Sequence, residues 1–212
     1  MHAMIPGNDP HPLTRGPARG RGLLLRALVV VVLAVAVRVW VLEVAIVEGD
    51  SMARTLRSGD RVLVLKPLRL RRFDVVVLTE PKAPHLTVIK RIVGLPGETV
   101  SMVPRTKQIG DRNVVTRDGQ LYIDGRPYDE PYATTHVPTV IAPWKLRPGR
   151  YYVLGDNRDV SIDSRTYGGV PRNLIHGVAC LIVWPLSRFR IIPRDATREP
   201  ARGRERRLAG EL

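Results

Sequence analysis

The chain is 212 residues long, enough for one domain with a real core and short appendages. Its formal net charge of +14 implies an anionic neighbour. Yet the basic residues are spread over an N-terminal flank (Arg15, Arg19, Arg21, Arg26), residues 61–72 and residues 188–207, with no basic run interleaved with aromatics. That distribution favours membrane proximity and a solvated tail over a nucleic-acid reader, and the single cysteine, Cys180, excludes a disulfide framework and a thiolate metal site.

In chain order, residues 1–22 read as a cytoplasmic segment. Residues 23–42, LLLRALVVVVLAVAVRVWVL, follow as a long apolar run. Twenty helical residues span about 30 Å, one bilayer core, so a transmembrane helix is expected over 23–43. Arg26 and Arg38 lie near its two ends and can snorkel, and Trp40 suits an interface. The AVA at 34–36 also has the form of a signal-peptide cleavage site, but the apolar run continues past it to Val47 with no polar stretch around the site. The reading favoured is an uncleaved anchor, with the basic flank in the cytoplasm and everything after it outside.

Beyond the run the pattern shortens to strand length. RVLVL (61–65), DVVVL (74–78), LTVIKRIVGL (86–95) and YYVLGD (151–156) are rich in β-branched or aromatic residues. Asp118-Gly119 and Asp124-Gly125 bracket QLYI, which predicts a strand between two tight turns. VACLIVWPL from 178 predicts a fully buried strand ended by Pro185. No segment of this body sustains a helical period. Residues 194–212 are charged and poor in large apolar groups, so a disordered basic tail is expected.

Three stretches carry candidate chemistry. EGDSMARTL (48–56) offers Ser51, a turn residue unless something takes its proton. The histidines, His2, His11, His85, His136 and His176, have no evident carboxylate partner, so a triad has no support in the sequence. Lys90 is the alternative base, because it interrupts an apolar strand and precedes Arg91. Strand neighbours alternate faces, so at least one of the two is expected to be partly buried. Lowering a lysine from about 10.4 to about 8 destabilises its ammonium by roughly 3 kcal/mol, which desolvation can supply. A strand-edge lysine that snorkels to water is the competing reading. GDNRDVSIDSRTYGG (155–169) concentrates Asp156, Arg158, Asp159, Ser161, Asp163, Ser164 and Arg165, the composition of a hydrogen-bonded, ion-paired network. Its two arginines and the lack of a suitably placed bidentate acid argue against a calcium loop.

Read together behind one apolar segment, these stretches resemble the type I signal peptidases. GDSMARTL is similar to the family's nucleophile box, IKRIVGLPGE to its lysine box and GDNRDVSIDSR to its third box. GDRVLV from 59 and RFDVVVL from 72 resemble a further box, and DGQLYIDGRPYDEPY (118–132) resembles the hairpin insert, placed at about 103–145. The resemblance runs from about 37 to 193. The self-cleaving repressors of the DNA-damage response share a Ser/Lys dyad but lack the anchor and the GDNRD loop.

The resemblance implies a mainly β fold, an antiparallel sheet or barrel over 44–193, behind one transmembrane helix. It implies a membrane-bound serine endopeptidase that removes signal peptides from exported preproteins at the outer face of the cytoplasmic membrane. Ser51 would be the nucleophile, Lys90 the general base and Ser161 the hydroxyl that orients the amine. Asp163 would brace the loop, with Arg165, Arg158, Asp156 and Arg91 as partners. Met52, Leu56 and Ile89 would wall a shallow pocket for a small side chain, and substrate would add a strand beside the Ser51 segment and the strand preceding Lys90. Signal peptides and membrane lipid are the implied partners; nucleic acid, cofactor, metal and oligomerisation are not called for. Three positions depart from the family pattern: Gly49, where some relatives carry a serine that donates to the oxyanion; Arg54, often proline; and Phe73, often glycine. A non-catalytic membrane-anchored β-domain is the alternative, against which stands the presence of both Ser51 and Lys90.

Overall fold

The computed structural model describes residues 19–40, 42–66, 69–109, 112–135 and 139–193. Residues 1–18 and the basic tail therefore lie outside the described residues. The chain divides into two compact units at Val39/Trp40. The first contains all but the last residue of helix α1 (Arg19–Trp40), whose large apolar side chains from Leu23 to Leu33 are all exposed. No helix among the described residues is long and apolar enough to cross a membrane. The apolar run thus folds as the expected helix, and no membrane span is found in it among the described residues.

The second unit is built almost wholly from antiparallel strands. These are β1 (Leu42–Ile46), β2 (Arg61–Leu65), β3 (Val75–Glu80), β4 (Ala83–Gly94), β5 (Thr99–Ile109), β6 (Arg112–Ile123), β7 (Arg126–Tyr128), β8 (Ile141–Lys145), β9 (Arg150–Leu154), β10 (Val170–Pro171), β11 (Ile175–Trp184) and β12 (Arg190–Ile191). One sheet runs β1-β2-β11-β3-β4-β9-β10, with β12 paired to β11, and a four-stranded sheet runs β7-β6-β5-β8. A single-turn helix, α2 (Ser164–Tyr167), lies between β9 and β10.

Strand β3 shows why the sequence folds this way. Val75 to Leu78 are all buried, so both faces are covered and the run needs no polar alternation. Val75 and Val77 face a cluster that contains Met52 and Leu56, whereas Val76 and Leu78 face one built with Ile92, Val153 and Val178. The first cluster lies directly under the candidate nucleophile.

Two strand expectations need correction. Asp118-Gly119 is not a turn: β6 continues through it, and Gly119 pairs with Pro104 beside a bulge. A Cβ at 119 would come within 2.6 Å of the Met102 sulfur, so glycine here permits close packing. Asp124 (φ 49°) and Gly125 (φ 75°), by contrast, do form the tight turn that joins β6 to β7. Strand β11 is not fully buried either: Cys180 and Leu181 are half-buried and Trp184 is exposed.

Candidate active site

The segment that carries Ser51 is held at three points. Val47 leaves β1 with its N–H donating to the Asp60 carbonyl and its own carbonyl accepting from Gly59. Gly49 then takes φ 77°, a left-handed conformation that suits glycine. Residues 51–55 coil into a tight turn in which the Thr55 and Leu56 N–H groups donate to the Met52 carbonyl at 2.8 and 2.7 Å. Met52 and Leu56 are buried and pin this turn to the core. The Ser51 carbonyl accepts from Asn157 N–H at 3.0 Å, which joins the turn to the 155–165 loop.

Lys90 sits on β4 opposite Val76, and its Nζ lies 2.8 Å from Ser51 Oγ. The residue is 4% exposed, so it is no snorkelling edge lysine. Burial pushes its pKa below the ordinary lysine value, against the raising influence of Asp163 and Glu80. A neutral amine at this distance can accept the serine proton. His85 and His176 are exposed, and His176 hydrogen-bonds to Thr79; His136 lies outside the described residues.

The loop after β9 is a charge network, but its pairs differ from those expected. Asp163 is completely buried and accepts from Gly155 N–H at 3.0 Å and from Arg165 Nε and Nη2, both at 2.8 Å. Arg165 also donates to the carbonyls of Arg158 and Ser161, so Asp163 and Arg165 brace the loop together. Asp156 and Arg91 pair with each other instead: Arg91 donates from Nε (2.9 Å) and Nη2 (2.7 Å), with both side chains at most 1% exposed. Arg158 pairs bidentately with Glu130, at 2.6 and 3.1 Å. Arg91 and Arg158 are therefore structural partners of other acids.

Several residues of this network were missed in the sequence. Thr55, four residues after the candidate nucleophile, donates to Asp156. Glu130 and Tyr132 come from the segment after β7, and the Tyr132 ring lies under the Arg91 guanidinium, 4.0 Å from centroid to Cζ. Thr134 bridges to Asn157, with hydrogen bonds of 2.7 and 2.9 Å to Asp156 and Arg158 backbone atoms. The DEPY motif held the signal, but only the fold brings it to the 155–165 loop.

Ser161 and Leu56 sit differently from expectation. Ser161 Oγ is buried and has no hydrogen-bond partner, so it does not hydrogen-bond to the Lys90 amine in this structure. It packs against Gly155, where a Cβ would also come within 2.7 Å of the Ser51 carbonyl. A cavity of about 110 Å³ beside the dyad is lined by Ile46, Val47, Met52, Val88 and Ile89 together with Glu48 and Thr87. Leu56 does not line it: the side chain is fully buried in the cluster beneath Met52.

Phe73 also finds its explanation. It has φ 65°, the conformation that makes glycine common at such a position. Here a buried ring packs beside Tyr128 and Tyr132, and its carbonyl accepts from Arg91 Nη1 at 2.9 Å. Ring burial offsets the backbone strain. Among the described residues no group of acids, histidines and cysteines is arranged to hold a metal ion.

This arrangement can be set beside known proteins. The model of the signal peptidase family, peptidase S26, matches residues 21–184. The chain is 35% identical over 178 residues to a probable signal peptidase I-2 of Synechocystis, covering 80% of this chain and 75% of that protein. It is 32% identical over 178 residues to a signal peptidase I of Bacillus licheniformis, covering 77% and 88%. A crystal structure of a signal peptidase I from Enterococcus faecalis aligns with 52% of this chain and 96% of that one, at 29% identity and a TM-score of 0.38. A family match over most of the chain, with relatives above 30% identity, means that the chain belongs to the signal peptidase family, peptidase S26.

Proposed function

We propose that the protein is a serine endopeptidase that removes N-terminal signal peptides from exported preproteins, with Ser51 as nucleophile and Lys90 as general base. The observation that carries this reading is the buried Lys90 amine 2.8 Å from Ser51 Oγ. Neutral Lys90 takes the hydroxyl proton as Ser51 Oγ bonds to the scissile carbonyl carbon. The resulting ammonium returns that proton to the departing amine as the C–N bond breaks, leaving an acyl-enzyme. Water, deprotonated by the same amine, then cleaves the ester and restores the serine. Gly49 carries no side-chain donor, so backbone N–H groups serve the oxyanion. The buried, unpartnered Ser161 hydroxyl is a candidate to orient the amine once substrate excludes water.

The cavity of about 110 Å³ suits a small side chain before the cut, walled by Met52 and Ile89. Substrate would lie extended between the Val47–Ser51 segment and Thr87–Ile89 of β4. Membrane attachment through α1, with the N-terminus cytoplasmic and the β-domain outside, belongs to the same proposal; its support is the exposed apolar surface of Leu23 to Leu33. The test is incubation of the detergent-solubilised chain with a preprotein beside Ser51→Ala. Release of the mature protein by the wild type alone is expected, and equal processing by both would end the reading.

A further inference from the structure

Two hollows meet at the dyad and share Glu48, Gly49, Ser51, Val88 and Lys90, but only one of them also holds Asp50 and Glu80. The smaller, just described, adds Ile46, Val47, Met52, Thr87 and Ile89 to the shared lining and holds about 110 Å³. The larger, of about 340 Å³, is lined by Glu48, Gly49, Asp50, Ser51, Glu80, Val88, Lys90, Val160 and Ile162. Both contain Ser51 and Lys90, and an extended substrate passes the serine once. A small residue before the cut fills the smaller hollow, so the residues after the cut enter the larger one.

That larger groove has an unusual charge for this chain. The protein carries +14 overall, yet three carboxylates (Glu48, Asp50 and Glu80) line the groove. Its one lining cation, Lys90, must be neutral to act. No cation holds Glu48, Asp50 or Glu80 in an ion pair among the described residues. Nearby Lys82 donates instead to the Thr166 carbonyl, and Arg165 is engaged by Asp163. Val160 and Ile162, 58% and 59% exposed, add apolar surface supplied by the loop after β9. Apolar surface beside carboxylates matches a side chain with an aliphatic stem and a cationic head.

We propose that this groove selects the first residues of the released mature chain by charge: lysine or arginine just after the cut is favoured and aspartate or glutamate disfavoured. The inference rests on the peptidase reading above and adds the side of the cut on which charge is read. Its source is the summed field of three partly solvated carboxylates, so it is modest and weakens with salt.

The test uses the full chain in detergent and peptides that share one signal segment ending in alanine. They differ only in the first two residues after the cut: Lys-Lys, Gln-Gln or Glu-Glu. At low salt kcat/KM is expected to fall in that order, by about tenfold from first to last, and to converge at about 1 M salt, where the screening length is about 3 Å. In the triple variant Glu48→Gln/Asp50→Asn/Glu80→Gln the order should vanish. Because each ratio compares peptides on one enzyme, a changed Lys90 pKa in the variant cancels. Equal wild-type rates for Lys-Lys and Glu-Glu, a salt-independent order, or an order that survives in the triple variant would each overturn the proposal. Cleavage of no peptide would instead remove the peptidase reading, and this inference with it; the wild-type salt series needs no variant to fold.

Discussion

At the scale of single residues, the site turns on one buried amine. Ser51→Ala and Lys90→Ala are each expected to reduce preprotein cleavage below about a thousandth of wild type, measured by single-turnover assay with circular dichroism as a check on folding. Activity should rise with pH through a Lys90 pKa that burial holds below the ordinary 10.5. A profile flat from pH 5 to 9 would remove Lys90 from the base role. The same lowering has a cost in stability. Between the folded and unfolded pKa values the unfolded chain binds the extra proton, so stability rises with pH across that interval. Lys90→Met should accordingly raise Tm at pH 7, and the gain should shrink as pH approaches 10.5. An unchanged or lower Tm at pH 7 would contradict the burial penalty. Lys90 was legible in the sequence because a charge inside an apolar strand is conspicuous. Phe73 was not, since its meaning lies in a backbone φ of 65° that no residue type announces.

At the scale of elements, the boxes were legible but their pairings were not. Strands β2, β3 and β4 follow from β-branched runs, and the acids and arginines of 155–165 announce a network. Which acid meets which arginine depends on chain segments that approach only in the folded state. Glu130 lies 28 residues from Arg158 in sequence, and Thr55 lies 101 from Asp156. The same limit applies to Leu56, which sits one layer beneath the pocket that its position implied. Glu130→Ala would strand the buried Arg158 charge and is expected to cost about 3–5 kcal/mol in denaturant unfolding, whereas removing an exposed ion pair costs under about 1. Leu56→Ala should cost about 2–5 kcal/mol through the cavity it leaves. Its effect on specificity should be smaller than that of Met52→Ala or Ile89→Ala, read from peptides varied just before the cut.

At the scale of the whole molecule, a β-domain with its reactive pair follows in sequence a helix whose large apolar side chains from Leu23 to Leu33 are exposed. In spheroplasts that contain the full chain, external protease should digest the β-domain and spare an epitope tag at Met1. A protected β-domain would reverse the proposed orientation, and release of the intact protein by carbonate washing would show that α1 does not hold it in the bilayer. The fold class was legible at this scale from strand-length runs and turn residues. The helix was legible too, as an apolar run with arginines near its two ends.

The depressed basicity of Lys90 also has a consequence at the laboratory bench. The chain has only five lysines, Lys66, Lys82, Lys90, Lys107 and Lys145. Near neutral pH an ordinary lysine is about one part in a thousand unprotonated and reacts slowly with electrophiles, while Lys90 holds a larger free-base fraction at the bottom of a hollow. Cyanate, small enough to enter, should carbamylate Lys90 ahead of the exposed Lys66, Lys82 and Lys145. Peptide mapping by mass spectrometry would then find activity lost in step with one modified site, and a bulky acylating reagent should label the surface lysines while leaving turnover intact.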